Sequence, residues 1–440
     1  MKPASFVDAA LRAANYDRGL NRLPWSEFQM SQQGPVIVVS TSGRPSFATA
    51  LDQAKVFPVI DASWDGAPRA VETLQPAAVL VATQDTSERG LDTLAKRIAA
   101  QQPYLPLIAV DPKIALPESA LPFSYTGGNS DRLLARLRAA LRVRTLHATV
   151  MRRRLDAGGG APVAPSELDP TRDATVLLIG RGASYPALSV SLGERIGVVG
   201  ALSIEAAARH LNVRDIDGIV LGEGFSERVV DAFLTVLTED ARFRNLPVVL
   251  TSHEPASAYD LPNLEIISGA PAYIANNALP LVRQHALETY LSRALRAIDA
   301  GGLLDARTGL LTPAAFGRDL ATAVYQTAAC GSGLSVARFA FDSGHPRAQL
   351  DGARIISRLM RQMDFGVAHD DGSVVVVFAE TDLRAAHGIA RRLSSVMRHT
   401  SHGKRDVRAE PVVTVATMLP EDSAKSLLAR LDDEGRRAAS

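Results

Sequence analysis

The chain has 440 residues, of which 46% are hydrophobic and 22% charged, enough to build the cores of several domains. Its 48 Lys and Arg residues are balanced by 47 Asp and Glu residues, so the net charge attracts neither nucleic acid nor an anionic membrane. The one cysteine, Cys330, excludes an intramolecular disulfide, and no apolar run approaches the roughly 20 residues of a membrane-spanning helix. The N-terminal stretch carries charges where a secretory signal is apolar, so we expect a cytoplasmic protein without a nucleic-acid or membrane partner.

In the first part of the chain, short apolar runs alternate with segments of helical periodicity. The runs are rich in β-branched residues and lie at 35–39, 58–60, 76–82 and 106–110. Such alternation predicts a parallel sheet with helices on both faces, because the strands are then buried on both sides. We predict an α/β domain over residues 1–155, including an N-terminal extension.

The same alternation of apolar runs and helical segments recurs after residue 173. Apolar runs lie at 175–179, 196–200, 217–221, 246–251 and 264–267. We interpret residues 174–300 as a second copy of the same α/β module. Residues 156–173 are rich in Gly, Pro and Asp, which favours an exposed linker between the copies. The glycine pair at 301–302 follows a long helical stretch at 279–300 and marks the start of a third domain, residues 301–440.

Residues 131–155 place many arginines among leucines at helical spacing. One interpretation is a basic recognition helix, and the other is a solvated outer face beside an apolar stripe. The near-zero net charge of the chain favours the second interpretation.

The third domain resembles the GGDEF domain of diguanylate cyclases, which has an α+β fold. Five residues of the stretch DARTGLLTPAAF at 305–316 match the family's opening pattern D-x-L-T-G-L-x-N-R-x-x-F, namely Asp305, Thr308, Gly309, Leu310 and Phe316. Arg307 and Thr312 depart from it. The stretches at 334–342, 374–382, 414–417 and 426–435 follow in the family's order. We therefore expect two receiver-like, flavodoxin-like parallel sheets followed by a cyclase-like module.

The residues that carry catalysis in this family are missing. Where the family has its Gly-Gly-Asp/Glu-Glu-Phe hairpin, this chain has Asp370, Asp371, Gly372, Ser373 and Val374. The resemblance implies that a magnesium ligand is also lost in the stretch 340–342, which keeps only its final aspartate. Without metal to neutralise the triphosphate, phosphoryl transfer is not expected, and we predict no catalytic residue, cofactor or metal. A replacement metal site built from the acids at 342, 370 and 371 is the alternative, but turn chemistry explains those residues better.

One element of the family survives. Arg361 and Asp364 match its R-x-x-D inhibitory site, which binds cyclic di-GMP, and Arg392 or its neighbour Arg391 matches the second arginine of that site. A guanidinium can form a fork on phosphate and guanine, and a carboxylate can accept hydrogen bonds from guanine. The alternative is a surface Arg-Asp ion pair. We predict a cyclic di-GMP site at Arg361, Asp364, Arg392 and Arg391.

The two α/β modules resemble receiver domains of response regulators, but most phosphorylation groups are absent. The phospho-acceptor positions fall on Ala82 and Gly222, and the acidic pairs are replaced at 40–42 and 180–182. Thr251 and Tyr273 are retained, and Asn276 lies near the expected lysine. Asp85 and Glu223 are either displaced acceptors or ordinary loop acids, and we favour the second. The resemblance implies docking and homodimerisation as the role of these modules.

Together these features predict a catalytically inactive cyclic di-GMP effector that acts as an adaptor. Among regulators of this architecture, such a role implies cell-cycle control, placement at a cell pole and delivery of protein partners to a protease. The alternatives are a scaffold that binds no ligand and, less favoured, a residual diguanylate cyclase.

Overall fold

The structure is a computed structural model that describes residues 34–41, 43–83, 88–125, 130–156, 173–252, 259–330, 333–342, 346–398 and 411–439. The predicted N-terminal extension, and the predicted linker apart from its two ends, lie outside the described residues. The chain divides into two compact units, Met1–Leu141 and Arg142–Ser440. Two parallel five-stranded sheets and one four-stranded antiparallel sheet confirm the predicted mixed α/β fold class. None of the described helices is both long and apolar enough to cross a membrane.

The first sheet belongs to the first unit. The elements are β1 (Val36–Val39), α1 (Ser46–Gln53), β2 (Val59–Ala62), α2 (Ala67–Leu74), β3 (Ala78–Ala82), α3 (Glu88–Ala99), β4 (Leu107–Val110), β5 (Ala120–Phe123) and α4 (Ser130–Asp156), which crosses into the second unit. The strand order β2-β1-β3-β4-β5 is that of flavodoxin-like folds, which receiver domains share. β5 is absent from the predicted strands because its four residues include Pro122, and its edge position tolerates that proline.

The second sheet, at the start of the second unit, repeats this topology. Its elements are β6 (Thr175–Ile179), α5 (Tyr185–Gly193), β7 (Gly197–Ala201), α6 (Ile204–Val213), β8 (Gly218–Leu221), α7 (Glu227–Glu239), β9 (Val248–Leu250), β10 (Leu264–Ile266) and α8 (Pro271–Asp299). Counted from the other edge, the order β7-β6-β8-β9-β10 is the same as in the first sheet, which confirms the predicted duplication. α8 begins at Pro271 and not at the predicted 279, and it contains Pro280, a residue type that usually ends or kinks a helix. The helix ends in a Schellman motif in which the Gly302 amide donates to the Ala297 carbonyl at 2.9 Å.

The remaining residues form what we call the C-terminal module. It contains α9 (Pro313–Cys330), β11 (Leu334–Ala340), α10 (Pro346–Leu359), β12 (Phe365–Ala368), β13 (Ser373–Ala379), α11 (Leu383–Arg398), β14 (Val412–Thr417) and α12 (Ala424–Ala439). The β-α-β-β-α-β sequence with strand order β12-β13-β11-β14 places helices on both faces of the sheet. Along β13, Val374 and Val376 pack with α10 and α11, whereas Val375 and Val377 pack with α9 and α12.

The arginines of α4 do not all face solvent. Arg136 is fully buried, its guanidinium lies 5.9 Å from the centre of the Phe123 ring, and its Nη1 donates to the Pro122 carbonyl at 3.4 Å. Cation–π contact and a carbonyl acceptor make this burial tolerable. The prediction of a solvated outer face is therefore wrong for Arg136.

The C-terminal part of α4 lies along α8 within the second unit. Arg142 pairs with Glu288 at 2.9 Å, and Arg153 pairs with Asp299 at 3.6 Å. Both pairs have the same separation along the chain, so the two helices run parallel. These arginines are thus paired with acids of the same chain.

Candidate functional site

The predicted ligand residues Arg361 and Asp364 form the turn that joins α10 to β12. The Asp364 amide donates to the Arg361 carbonyl at 3.0 Å, which closes the turn. The Asp364 carboxylate accepts from the Arg361 amide at 3.4 Å and from the Ala379 amide at 3.3 Å. Asp364 thereby ties the turn to the end of β13. We call residues 361–364 the ligand turn.

Burial shapes the chemistry of Asp364. Its residue is only 8% exposed, and this burial raises the pKa of the carboxyl against the opposing effect of its backbone hydrogen bonds. Each carboxylate oxygen can accept two hydrogen bonds, so the two amides leave acceptor capacity for a further donor. The carboxylate therefore has a structural task that sequence reasoning did not assign to it.

The guanidinium of Arg361 is exposed and has no ion-pair partner among the described residues. Arg361 forms no ion pair with Asp364, whose carboxylate accepts from backbone amides, although the charge of Arg361 acts to lower the pKa of that carboxyl. Arg391 and Arg392 are likewise exposed, on α11, and neither has a partner within the described part of the chain. α10 and α11 pack side by side over the same face of the sheet, which places the ligand turn and both arginines in one layer of the module.

A hairpin joins β12 and β13 at the position that the sequence predicts. β12 and β13 pair antiparallel, and the chain reverses between His369 and Ser373, where the His369 amide donates to the Ser373 carbonyl at 2.8 Å. Gly372 adopts a φ of +87°, a left-handed conformation that glycine reaches without strain. Asp371 Oδ1 accepts from the Ser373 amide at 2.9 Å and from the Ser373 hydroxyl at 2.6 Å. This is turn chemistry, as we expected.

Arg338 of β11 forms ion pairs that hold this hairpin. Its guanidinium pairs with Asp371 of the hairpin and with Asp432 of α12. Although partial burial opposes the shift, the hydrogen bonds from Ser373 and the charge of Arg338 lower the pKa of Asp371. Within the described residues, no three His, Cys, Asp or Glu side chains are grouped so that they could hold a metal ion.

In the second module, the residues that the receiver resemblance places at phosphorylation positions lie near the carboxyl ends of the strands. Gly222 follows β8 directly, and a β-carbon placed on it would lie 3.9 Å from the Thr251 hydroxyl. A β-carbon on Gly182 would lie 2.3 Å from the Glu223 carboxylate, so the space of a side chain at 182 is taken by Glu223. Asn276 lies inside α8.

In the first module, Ala82 ends β3. The displaced-acceptor candidate Asp85 lies outside the described residues.

α10 carries contacts that sequence reasoning missed. Arg347, Arg354 and Arg358 fall on one face of this helix and donate to backbone carbonyls of the second module or of Asp173, which directly precedes it. Arg354 Nη1 reaches the Asp173 carbonyl at 3.0 Å, and Arg358 Nη1 reaches the Arg214 carbonyl at 2.8 Å. Arg347 donates to the Ala174 carbonyl. The helix that leads into the ligand turn is therefore anchored on the second module.

No family model and no curated protein matches this sequence. Among solved structures, the chain is similar to a sensory box/GGDEF family protein from Caulobacter crescentus, with 23% identity over 31% of this chain and 97% of that one, at a TM-score of 0.28. It is similar to the GGDEF domain of DgcB from Caulobacter crescentus in complex with c-di-GMP, with 16% identity over 30% of this chain and 84% of that one, at a TM-score of 0.28. The FimX GGDEF domain from Pseudomonas aeruginosa gives 16% identity, 31% and 94% coverage and a TM-score of 0.28.

Proposed function

We propose that the chain is a catalytically inactive GGDEF-type effector that binds cyclic di-GMP at the ligand turn and acts as an adaptor for protein partners. One observation carries the ligand assignment: Arg361 is exposed and unpaired beside a carboxylate that backbone amides hold in place. A fixed acceptor next to an uncommitted guanidinium suits a ligand that carries both phosphate and guanine. Arg391 or Arg392 supplies a second cation for the same ligand.

The hairpin supports the proposal of inactivity. A nucleotide triphosphate would approach Asp370 and Asp371, and both carry negative charge that repels it. Asp371 is already engaged by Arg338 and Ser373, so its carboxylate is not available to a metal ion. We therefore propose that GTP is not a substrate.

The adaptor role rests on the resemblance described above. We extend the proposal to homodimerisation, to cell-cycle control and to the delivery of protein partners to a protease at a cell pole. The acceptor positions Ala82 and Gly222 carry no phosphorylatable side chain, which favours docking over phosphotransfer for the two α/β modules.

A ligand-independent scaffold is the second candidate. It is favoured by the structural task of Asp364, because the need to close the turn would by itself explain why an aspartate stands there.

Titration calorimetry of the full chain with cyclic di-GMP separates these candidates. We expect the wild type to bind and Arg361→Ala to lose binding, while Arg384→Ala, an exposed arginine on α11 outside the site, retains it. Unchanged affinity in Arg361→Ala would discard the ligand turn as the site, and a wild type that does not bind would favour the scaffold. Incubation with GTP and magnesium should give no cyclic di-GMP, and measurable turnover would refute inactivity.

A further inference from the structure

A cleft of about 240 Å³ lies between the second module and the C-terminal module, within the second unit. Four arginines line it: Arg293 and Arg296 from α8, and Arg354 and Arg358 from α10. The side chains of Ser357 and Thr308 also reach its wall. The cleft is thus an arginine-rich space separate from the ligand turn.

The two carboxylates that line this cleft already have ion-pair or hydrogen-bond partners. Asp215 pairs with Arg293 and lies 3.5 Å from the Arg358 guanidinium. Asp305 closes the turn that follows it, because its carboxylate accepts from the Thr308 amide at 2.9 Å and from the Thr308 hydroxyl. Neither acid forms an ion pair with Arg296 or Arg354, and the cleft lining carries four arginines against these two aspartates.

Arg354 and Arg296 are left without a counter-ion. Arg354 is only 8% exposed, and its Nε and Nη1 each donate to a backbone carbonyl at 3.0 Å. Its Nη2 has no hydrogen-bond partner, and neither guanidinium has a carboxylate within 4.0 Å, among the residues that the structure describes. Arg296 makes only a 3.4 Å bond to the Ser292 carbonyl.

An uncompensated buried charge is costly, and a guanidinium cannot escape the cost by losing its proton. Burial lowers the pKa of Arg293, and the nearby charges of Arg354 and Arg296 add to this against the opposing charge of Asp215. A bound anion would relieve the repulsion, and the fork of guanidinium donors matches the tetrahedral oxygens of a phosphate group. The volume is below that of pockets for drug-sized ligands, which favours a small anion.

We propose that this cleft binds a small anion with a terminal phosphate group, held by Arg296 and Arg354 from two different modules. The bound anion bridges α8 and α10 and so stabilises the docking of the C-terminal module on the second module. The ligand source is either free phosphate or pyrophosphate, or the phosphate end of a nucleotide.

The test is calorimetry of the full chain with phosphate, pyrophosphate and GDP at constant ionic strength. Arg296→Gln is the main variant, because this exposed side chain has little structural role and its loss should leave folding intact. We expect it to weaken binding about tenfold, the effect of losing one charge-assisted hydrogen bond. Arg318→Gln on α9, also exposed, should bind like the wild type.

Absence of binding by all three anions at millimolar concentration would overturn the proposal, as would equal affinity in Arg296→Gln and wild type. Arg354→Gln should lose binding too, with its folding checked by circular dichroism. Binding of GDP without pyrophosphate would assign the site to a nucleotide, whereas binding of pyrophosphate with equal or greater affinity would assign it to the inorganic anion. The cyclic di-GMP titration of Arg361→Ala is a separate measurement, so this site and the ligand turn can fail independently.

Discussion

Two turns of the C-terminal module use the same residue types in different ways. In the ligand turn, Asp364 is held by two backbone amides while Arg361 stays exposed and unpaired. In the hairpin, Asp371 is held by Ser373 and also by Arg338, which is committed to two carboxylates. The guanidinium beside the first turn has no ion-pair partner among the described residues, whereas the guanidinium beside the second is paired with two carboxylates of the same module.

The pKa directions of the two aspartates follow from this difference. Burial raises the pKa of Asp364 against the opposing effects of its two backbone hydrogen bonds and of the Arg361 charge. Partial burial acts the same way on Asp371, but Ser373 and Arg338 outweigh it and lower the pKa. The opposite pKa directions therefore reflect the deeper burial of Asp364 and the hydrogen bonds from Ser373 to Asp371 together with the charge of Arg338.

The largest effect is expected from removing the carboxylate of the ligand turn. Asp364→Ala would leave the amides of Arg361 and Ala379 without an acceptor near the buried end of β13. Loss of an acceptor for buried donors costs about 2 kcal/mol. Urea denaturation should show a lower midpoint, and Asp364→Asn should recover part of the loss because its amide oxygen still accepts. Equal stability of Asp364→Ala and wild type would mean that the carboxylate does not hold the turn.

A smaller effect is expected from the arginine of the hairpin. Arg338→Met removes the cation between Asp371 and Asp432 and should destabilise the chain by about 1 kcal/mol, because the pairs are partly exposed to solvent. The matched control is Arg361→Met, which should change stability by less than about 0.5 kcal/mol. If both variants lose the same stability, the contrast between a paired and an unpaired arginine is wrong.

The sequence predicts the strands of both parallel sheets well because buried parallel strands are apolar throughout. It misses β5, whose Pro122 is usual only at a sheet edge, and it starts α8 too late because Pro280 usually ends a helix. In both cases the local preference of proline against strands and helix interiors is outweighed by the position of the segment in the fold. That position cannot be read from the local sequence.

The candidate site was predictable only in part. The R-x-x-D pattern identified the residues at 361 and 364, but not that the carboxylate of Asp364 would accept from Ala379, fifteen residues away along the chain. An arginine within the apolar strand β11 was a visible signal for an ion pair, and sequence reasoning did not use it. The contacts of Arg354 and Arg358 with the carbonyls of Asp173 and Arg214 join residues more than a hundred positions apart, so no local sequence pattern predicts them.

The smallest effect, and the sharpest contrast, is the pH dependence of two conservative variants. Asp371 has a lowered pKa, so its charge stabilises the fold above the unfolded value near 3.8, and this stability is lost as pH falls. Asp364 has a raised pKa, so its contribution is full below that value and is lost as pH rises through the folded pKa. As pH falls from about 5 to about 3, across the unfolded value, the cost of Asp371→Asn in urea midpoint should therefore shrink, whereas the cost of Asp364→Asn should grow. Midpoint shifts of the same sign in both variants would show that the two carboxylates share one environment, because only a difference in pairing and burial makes their titrations oppose each other.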